Sequence, residues 1–402
     1  MTSPITSSDA SALAQTRSRA RRAISIVFFI NGMTLATWIS RIPTITDRLD
    51  LSNAQVGMSL MAIAAGALVA FPLSGKRIST HSSRNALTVF SYILIAALPF
   101  IGLASNLWLL VPILFCLGFG NGGMDVAMNA QGVEVERVCR KPILSSMHGF
   151  YSLGAFAGAG IGAVAAGTDI HPFPHFILIA ILAIVGLYLV QSTLVDDAAD
   201  ERTHKPEPTF AFPPRVLWLL GAVVLAAAVG EGAMADWGGL YLQNHLGTSG
   251  SIAAFGFAMF SLAMLIGRFS GDLVVARFGP VHVVRYGGLI AGIGLAIGIA
   301  INQPWSAIAG YCTVGIGLAA AFPLVFRAAA HHPTIARGRA VAAVATIGYT
   351  GFLAGPPILG WIAEWTSLRV LMAMVALLCI VCAAFAPATS SAGYSDTAVT
   401  ES

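Results

Sequence analysis

Twelve stretches of about 20 residues, each nearly free of charge, follow one another along the chain. They lie at approximately residues 23–40, 55–74, 86–104, 107–130, 145–167, 174–194, 216–238, 251–270, 283–301, 305–326, 339–362 and 367–387. A run of that length, wound as a helix, spans the hydrocarbon of a bilayer. Lipid offers no partner to a bare backbone, so each span must bond its own peptide groups as a helix. The expected class is therefore an all-α membrane protein with 12 transmembrane helices. Composition agrees: 56% of residues are hydrophobic and 10% charged, where soluble domains carry about a quarter charged. The 42 glycines suit close helix–helix approach.

Connections are short except at residues 195–214, a charged, Pro-rich linker that divides the spans into six and six. The expected organisation is a disordered cytoplasmic tail (1–22), a six-helix bundle (23–195), a cytoplasmic linker (196–214), a second six-helix bundle (215–388) and a cytoplasmic tail (389–402). Arg17, Arg19, Arg21 and Arg22 precede the first run as in a signal peptide, but no small-residue cleavage site follows, so the first span is expected to be uncleaved. Four basic residues in the leading tail and three in each of five loops place 19 of the 22 Lys and Arg on one side. Only Arg41, Arg48 and Arg369 fall on the other, a bias that expects both termini in the cytoplasm. The net charge of +4 is spread through short loops, which argues against a nucleic-acid partner. Cys379 and Cys382 form a CxxC inside an apolar helix without a nearby His or acid, so they read as packing residues.

Against this background the polar residues inside spans stand out. Asn121, Asp125 and Asn129 are four apart in the fourth run, one stripe on a helix. A carboxylate within a span is costly unless it faces water or a partner, which makes Asp125 a functional candidate, and Glu231 in the seventh run is a second. Either could load a proton on one side and release it on the other. The structural alternative for Asp125 is pairing with Arg137 or Arg140. Asn31, Thr34, Trp38 and Arg41 share one face of span 1, and an aromatic ring beside amide and hydroxyl groups suits a hydroxyl-rich ligand; Trp38 could equally belong to an interfacial belt. His148 and Tyr151 share a face at the start of span 5, with His148 expected as an interhelical hydrogen bonder or a proton relay. Tyr349 lies near Gly351, Gly355 and Pro356-Pro357, a bendable helix. Asp236 is expected at a solvated helix end, and Glu134 and Glu136 in solvent or paired with Arg137 or Arg140.

The segment after span 8, Gly267-Arg268-Phe-Ser-Gly271-Asp272-Leu-Val-Val-Ala-Arg277-Phe-Gly279, resembles the glycine–acid–basic loop of the major facilitator superfamily, and a degenerate copy, with Ser79 and Ser82 at the usual acid and glycine positions, follows span 2 at Gly75–Arg84. Further phrases (Trp38-Ile-Ser-Arg41-Ile-Pro43, Gly122-Gly-Met-Asp125, Ser146-Met-His148-Gly-Phe-Tyr151, Glu231-Gly-Ala-Met-Ala-Asp236-Trp237 and Gly348-Tyr349-Thr-Gly-Phe) are similar to its bacterial branch of rhizopine-transport-type proteins and sugar porters, near the fucose:proton symporters.

The resemblance implies two pseudo-symmetric six-helix bundles in a bacterial cytoplasmic (inner) membrane, a monomer, with spans 1, 4, 7 and 10 lining a central pathway. It implies alternating access driven by the proton gradient, with no other cofactor. The expected function is proton symport of a small polar solute, sugar- or polyol-like. Glu231 and then Asp125 would carry the proton, and Asn31, Trp38, Asn121, Asn129 and Tyr349 would contact the solute. Arg268, Asp272 and Arg277 would form a charge latch on the inner face. Proton-coupled efflux of a drug or metabolite is the alternative, although the arginine and proline typical of drug antiporters are missing from spans 4 and 5. A non-transporting sensor is the alternative of another class. No Walker loop occurs, so ATP-driven transport is not expected, and no GxSxG, HExxH or CxxC…CxxC occurs, so no enzyme activity is expected.

Overall fold

The computed structural model describes residues 7–139, 143–197, 214–332, 335 and 337–392. Arg140, linker residues 198–213 and tail residues 393–402 lie outside them. The span helices are α1 (Ser7–Ile39), α2 (Asn53–Thr80), α3 (Ser83–Leu103), α4 (Leu107–Cys139), α5 (Leu144–Gly167), α6 (Pro172–Gln191), α7 (Trp218–Asp236), α8 (Gly250–Phe278), α9 (Pro280–Ile301), α10 (Pro304–Leu318, continued as Ala321–Ala330), α11 (Arg337–Trp365) and α12 (Leu368–Ala384). Among the described residues eleven segments are long and apolar enough to cross a membrane, while α12 has 17 residues, about 26 Å at the helical rise.

The helices run further than the apolar pattern. Residues from Ser7 onward already belong to α1, so the expected disordered tail is helical up to the first span. Most of the segment after span 2 and all but the last residue of that after span 8 are not loops: α2 continues to Thr80 and α8 to Phe278, where Gly279 with φ 75° ends it. Beyond the lipid boundary the backbone ladder still bonds itself, so helix persists after hydrophobicity stops. At the other end of the chain, Ala386–Ala392 forms a 3-10 helix that runs across the expected start of the cytoplasmic tail at residue 389, with Thr389 buried. Span 10 breaks at Ala319–Ala320, one turn ahead of Pro323, whose ring nitrogen has no proton to donate.

The two halves use the same pairings. In the first, α1 packs on α5, α2 on α4, and α3 on α4 and α6; in the second, α7 packs on α11, α8 on α10, and α9 on α10 and α12. That repetition is the pseudo-symmetry of two six-helix bundles. The bundles meet along α2–α11 and α5–α8. At the far end, where α1 stops, the α2–α11 seam is closed backbone to backbone: a Cβ built on Gly57 would lie 2.5 Å from Pro356 O and 3.2 Å from Gly360 Cα. Ala54 N donates to Glu364 Oε2 at 3.2 Å, and Gln243 bonds Asp47, both across the same end. At the amino end, where α1 begins, Gly75 on α2 and Gly271 on α8 have no such neighbour within 4 Å. The structure is therefore sealed at the far end and parted at the amino end.

Exposed Trp108, Trp305, Trp361 and Trp365 sit at far-end helix termini, the placement of an interfacial aromatic belt. The three far-end arginines bond backbone carbonyls at or just past helix C-termini. Arg41 donates to Ile170 O (2.8 Å), Arg48 to Gly102 O (2.7 Å) and Ala104 O (2.8 Å), and Arg369 to Ala300 O (3.5 Å). Orphan carbonyls and the negative dipole end favour a cation there.

Candidate functional site

Between the bundles lies a cavity in two joined parts, a deep chamber of about 330 Å³ and a vestibule of about 640 Å³, a size that suits small-molecule ligands. Both parts share Asp125, Glu231, Arg268, Tyr349 and Phe352. The deep chamber reaches Asp236 and Pro356 toward the far-end seal; the vestibule reaches exposed Asp272 and half-buried Arg327 toward the amino end.

Helical spacing sets the walls. Asn121 and Asp125 on α4 line the chamber and Asp125 and Asn129 the vestibule, so the four-residue stripe runs along the cavity. Asn129 Nδ2 donates to Asp125 Oδ1 at 3.2 Å and to Asp125 O at 2.8 Å. On α8, Phe257, Phe260, Ser261, Met264 and Arg268 fall at i, i+3, i+4, i+7 and i+11, one face, and all line the chamber. Arg268 Nη2 lies 3.3 Å from Glu231 Oε1 on α7, and Arg268 Nη1 donates to Ser152 Oγ on α5 at 3.0 Å. One guanidinium thus joins a carboxylate of its own bundle to a hydroxyl of the other. The Arg268 and Glu231 side chains keep 18% and 25% of their surface exposed, so the pair is wetted from the cavity.

Several expected residues sit elsewhere. Asn31 and Trp38 are buried among helices of the first bundle and do not line the cavity; α1 presents Leu35 and Ile39 there instead. Asn31 Nδ2 donates to Asn121 Oδ1 at 3.0 Å, and Thr34 bonds Ile30 O on its own helix, so the polar stripe of span 1 holds helices together. Arg268, placed by sequence in a latch, points into the cavity instead. Among the described residues Asp272 and Arg277 form no ion pair, and Arg277 stands over the Phe278 ring at 5.6 Å. The amino end is parted, and a latch that would close it is not made. Among the described residues Asp125 has no arginine partner, and Arg140 lies outside them; Arg137 pairs with Glu134 at 2.8 Å, and Glu136 accepts from Ile143 N at 2.7 Å. Asp236 lines the chamber rather than standing in solvent. His148 lines the vestibule with its ring edge-on to Phe28 at 5.3 Å. Ser152 was not singled out from sequence; it lies one residue after Tyr151, which lines the same chamber. Among the described residues no group of His, Cys, Asp and Glu is arranged to hold a metal ion.

The family profile described as Major Facilitator Superfamily matches residues 24–333 and 238–393. An uncharacterized transporter of Sinorhizobium fredii is 32% identical over 91% of this chain and 97% of its own length. The membrane protein MosC of Rhizobium meliloti is 30% identical over 90% of this chain and 88% of its own. Among solved structures, the nucleoside transporter NupG superposes with a TM-score of 0.71 at 12% identity, covering 92% of this chain and 98% of that one. An inward-facing, unoccupied bacterial homolog of the human lysosomal transporter Spinster superposes with a TM-score of 0.69 at 17% identity, covering 95% and 99%. Two bundles with matched helix pairings, a cavity on the axis between them and profile matches that together run from residue 24 to residue 393 agree: the chain belongs to the major facilitator superfamily of membrane transporters.

Proposed function

We propose that this transporter is a proton-coupled carrier of a small polar solute, of sugar or polyol size, working by alternating access with its amino end in the cytoplasm. The observation that carries the reading is the Glu231–Arg268–Ser152 bridge at the wall of a cavity sealed at one end only. A proton on Glu231 competes with Arg268 for the same oxygens. Loading it frees the guanidinium, and with it a bond that spans the α5–α8 seam. Proton occupancy and bundle geometry are thereby linked, which is what coupling requires. Asp125 is the second carrier on the same wall, where an amide of its own helix donates to it. Solute contacts fall to Asn121, Asn129 and Tyr349, while Asn31 acts by orienting Asn121.

The test is flux in proteoliposomes with an imposed pH gradient, after a thermal-shift panel of sugars, polyols and amino acids has identified a solute. Glu231→Gln should bind solute but lose proton-driven accumulation. Accumulation at the wild-type level would remove Glu231 from the coupling role. A second reading, export by proton antiport, is favoured by the apolar share of the chamber wall, including Leu35, Ile39, Ile63 and Phe257. Uptake against efflux in inverted vesicles separates the two.

A further inference from the structure

We infer that the solute carries a positive charge, as a protonated amine, and that it is bound in the deep chamber where Asp125, Glu231 and Asp236 face a single arginine. This rests on the carrier reading above and narrows its substrate class.

The charged side chains of the deep chamber are Asp125, Glu231, Asp236 and Arg268. Arg268 is already committed to Glu231 at 3.3 Å. Among the described residues Asp125 has only the Asn129 amide, and Asp236 has no hydrogen bond or ion pair. The vestibule adds His148, Asp272 and Arg327, of which Arg327 has an interaction of its own. The chamber therefore holds two carboxylates without a cation, at its blind end and at its mouth.

An ionised carboxylate taken out of water needs a counter-charge or a proton. While the amino end is parted, water supplies the solvation. When the bundles close over a bound solute, that water is lost, and the solute must supply what it supplied. Carboxylates only accept hydrogen bonds, and an ammonium only donates them, with three protons on one centre. The rest of the wall points the same way. Tyr151, Phe257, Phe260, Tyr349 and Phe352 line the chamber, and the faces of aromatic rings attract a cation. A neutral solute could satisfy the acceptors but would leave the charge unmatched. With one ammonium bound, one unpaired carboxylate is neutralised and the other is left for the proton.

Thermal shift on the purified full-length protein, with matched probes, tests this. The pairs are glucosamine with glucose, and 2-phenylethylamine with 2-phenylethanol, at a pH where both amines are protonated. At least one amine should stabilise at a tenfold lower concentration, or less, than its neutral partner. Asp236→Asn or Asp125→Asn should abolish that preference, and Asp236→Glu should keep it, which separates charge from folding defects. Equal response to both members of each pair, no response to either amine, or a preference that survives both Asn variants overturns the inference. Proton-driven uptake of a neutral sugar would overturn it while leaving the carrier reading intact; amine preference without proton dependence would do the reverse.

Discussion

Arg268 donates to Ser152 Oγ at 3.0 Å across the seam between the bundles while its other nitrogen holds Glu231. Removing only the carboxylate leaves a half-buried guanidinium without its counter-charge. Breaking a fully buried pair costs about 3–5 kcal/mol. This pair keeps 18% and 25% exposure, so Glu231→Gln should cost less, roughly 1–3 kcal/mol. Adding Arg268→Gln should restore most of the lost melting temperature without restoring proton-driven flux. A double variant no more stable than the worse single variant would show that the two residues are not coupled.

His171 predicts an acid limb in stability. It precedes α6 in the turn after α5, where its Nδ1 accepts from Phe173 N at 3.2 Å and its Nε2 lies 3.1 Å from Arg48 Nη1. Burial first, then the charges of Arg48 and Arg41, hold its pKa below the ordinary 6.5. The folded value is below the unfolded one, so the neutral ring's contribution is complete above the unfolded pKa of about 6.5 and is lost as pH falls through the folded pKa. The residue is largely exposed, so that burial is slight and the effect small. Melting temperatures taken from neutral to mildly acidic pH should fall less steeply in His171→Gln, which keeps an acceptor but cannot titrate. Identical slopes would remove His171 from the acid response.

The span count, the six-plus-six division and the α4 stripe were legible because each is a local periodicity: length of apolar run, break in composition, spacing of four. The facing of span 1 was not. Asn31, Thr34 and Trp38 do form one stripe, but polar groups in a bundle satisfy one another as readily as they face water, and nothing local says which. Asn31 meets Asn121 from 90 positions away, a contact no single-helix pattern contains. Arg268 was misplaced for the opposite reason. It lies beyond the apolar part of its run, yet the same 3.6-residue face that carries Ser261 and Met264 continues to it, and extending the period past the loss of hydrophobicity would have found it. Asp236 looked solvated because it ends a helix; the far-end seal, which keeps it inside, is made by other segments of the chain.

Asn31 and Asn121 should separate stability from binding. Asn31 is buried and bonded to Asn121, whose other side faces the chamber. Asn31→Ala leaves a cavity and an unpaired amide, a cost of about 1–3 kcal/mol. It should lower the melting temperature more than Asn121→Ala, which opens onto the cavity and water. For solute affinity the order should reverse, with Asn121→Ala the weaker binder. Thermal denaturation and solute titration on the two variants check both halves. A larger affinity loss from Asn31→Ala would place that residue at the solute after all.

Gly57 should control which end is open. A side chain there meets the Pro356 carbonyl and the Gly360 backbone, neither of which can turn aside as a flexible side chain would. Overpacking of this kind costs about 1–3 kcal/mol. Paid only when the far end is closed, it moves the balance between the two states roughly 5- to 150-fold toward the far-open one. Spin labels at Gln55 on α2 and Trp365 on α11, in a background without the exposed Cys116, report that distance directly. Gly57→Leu should widen it by several ångströms and shift the main population, whereas Gly75→Leu, with no such neighbour within 4 Å, should leave it where it was. A Gly57→Leu distribution centred on the wild-type distance would mean that α11 yields to the larger side chain and the far-end seal is not rigid.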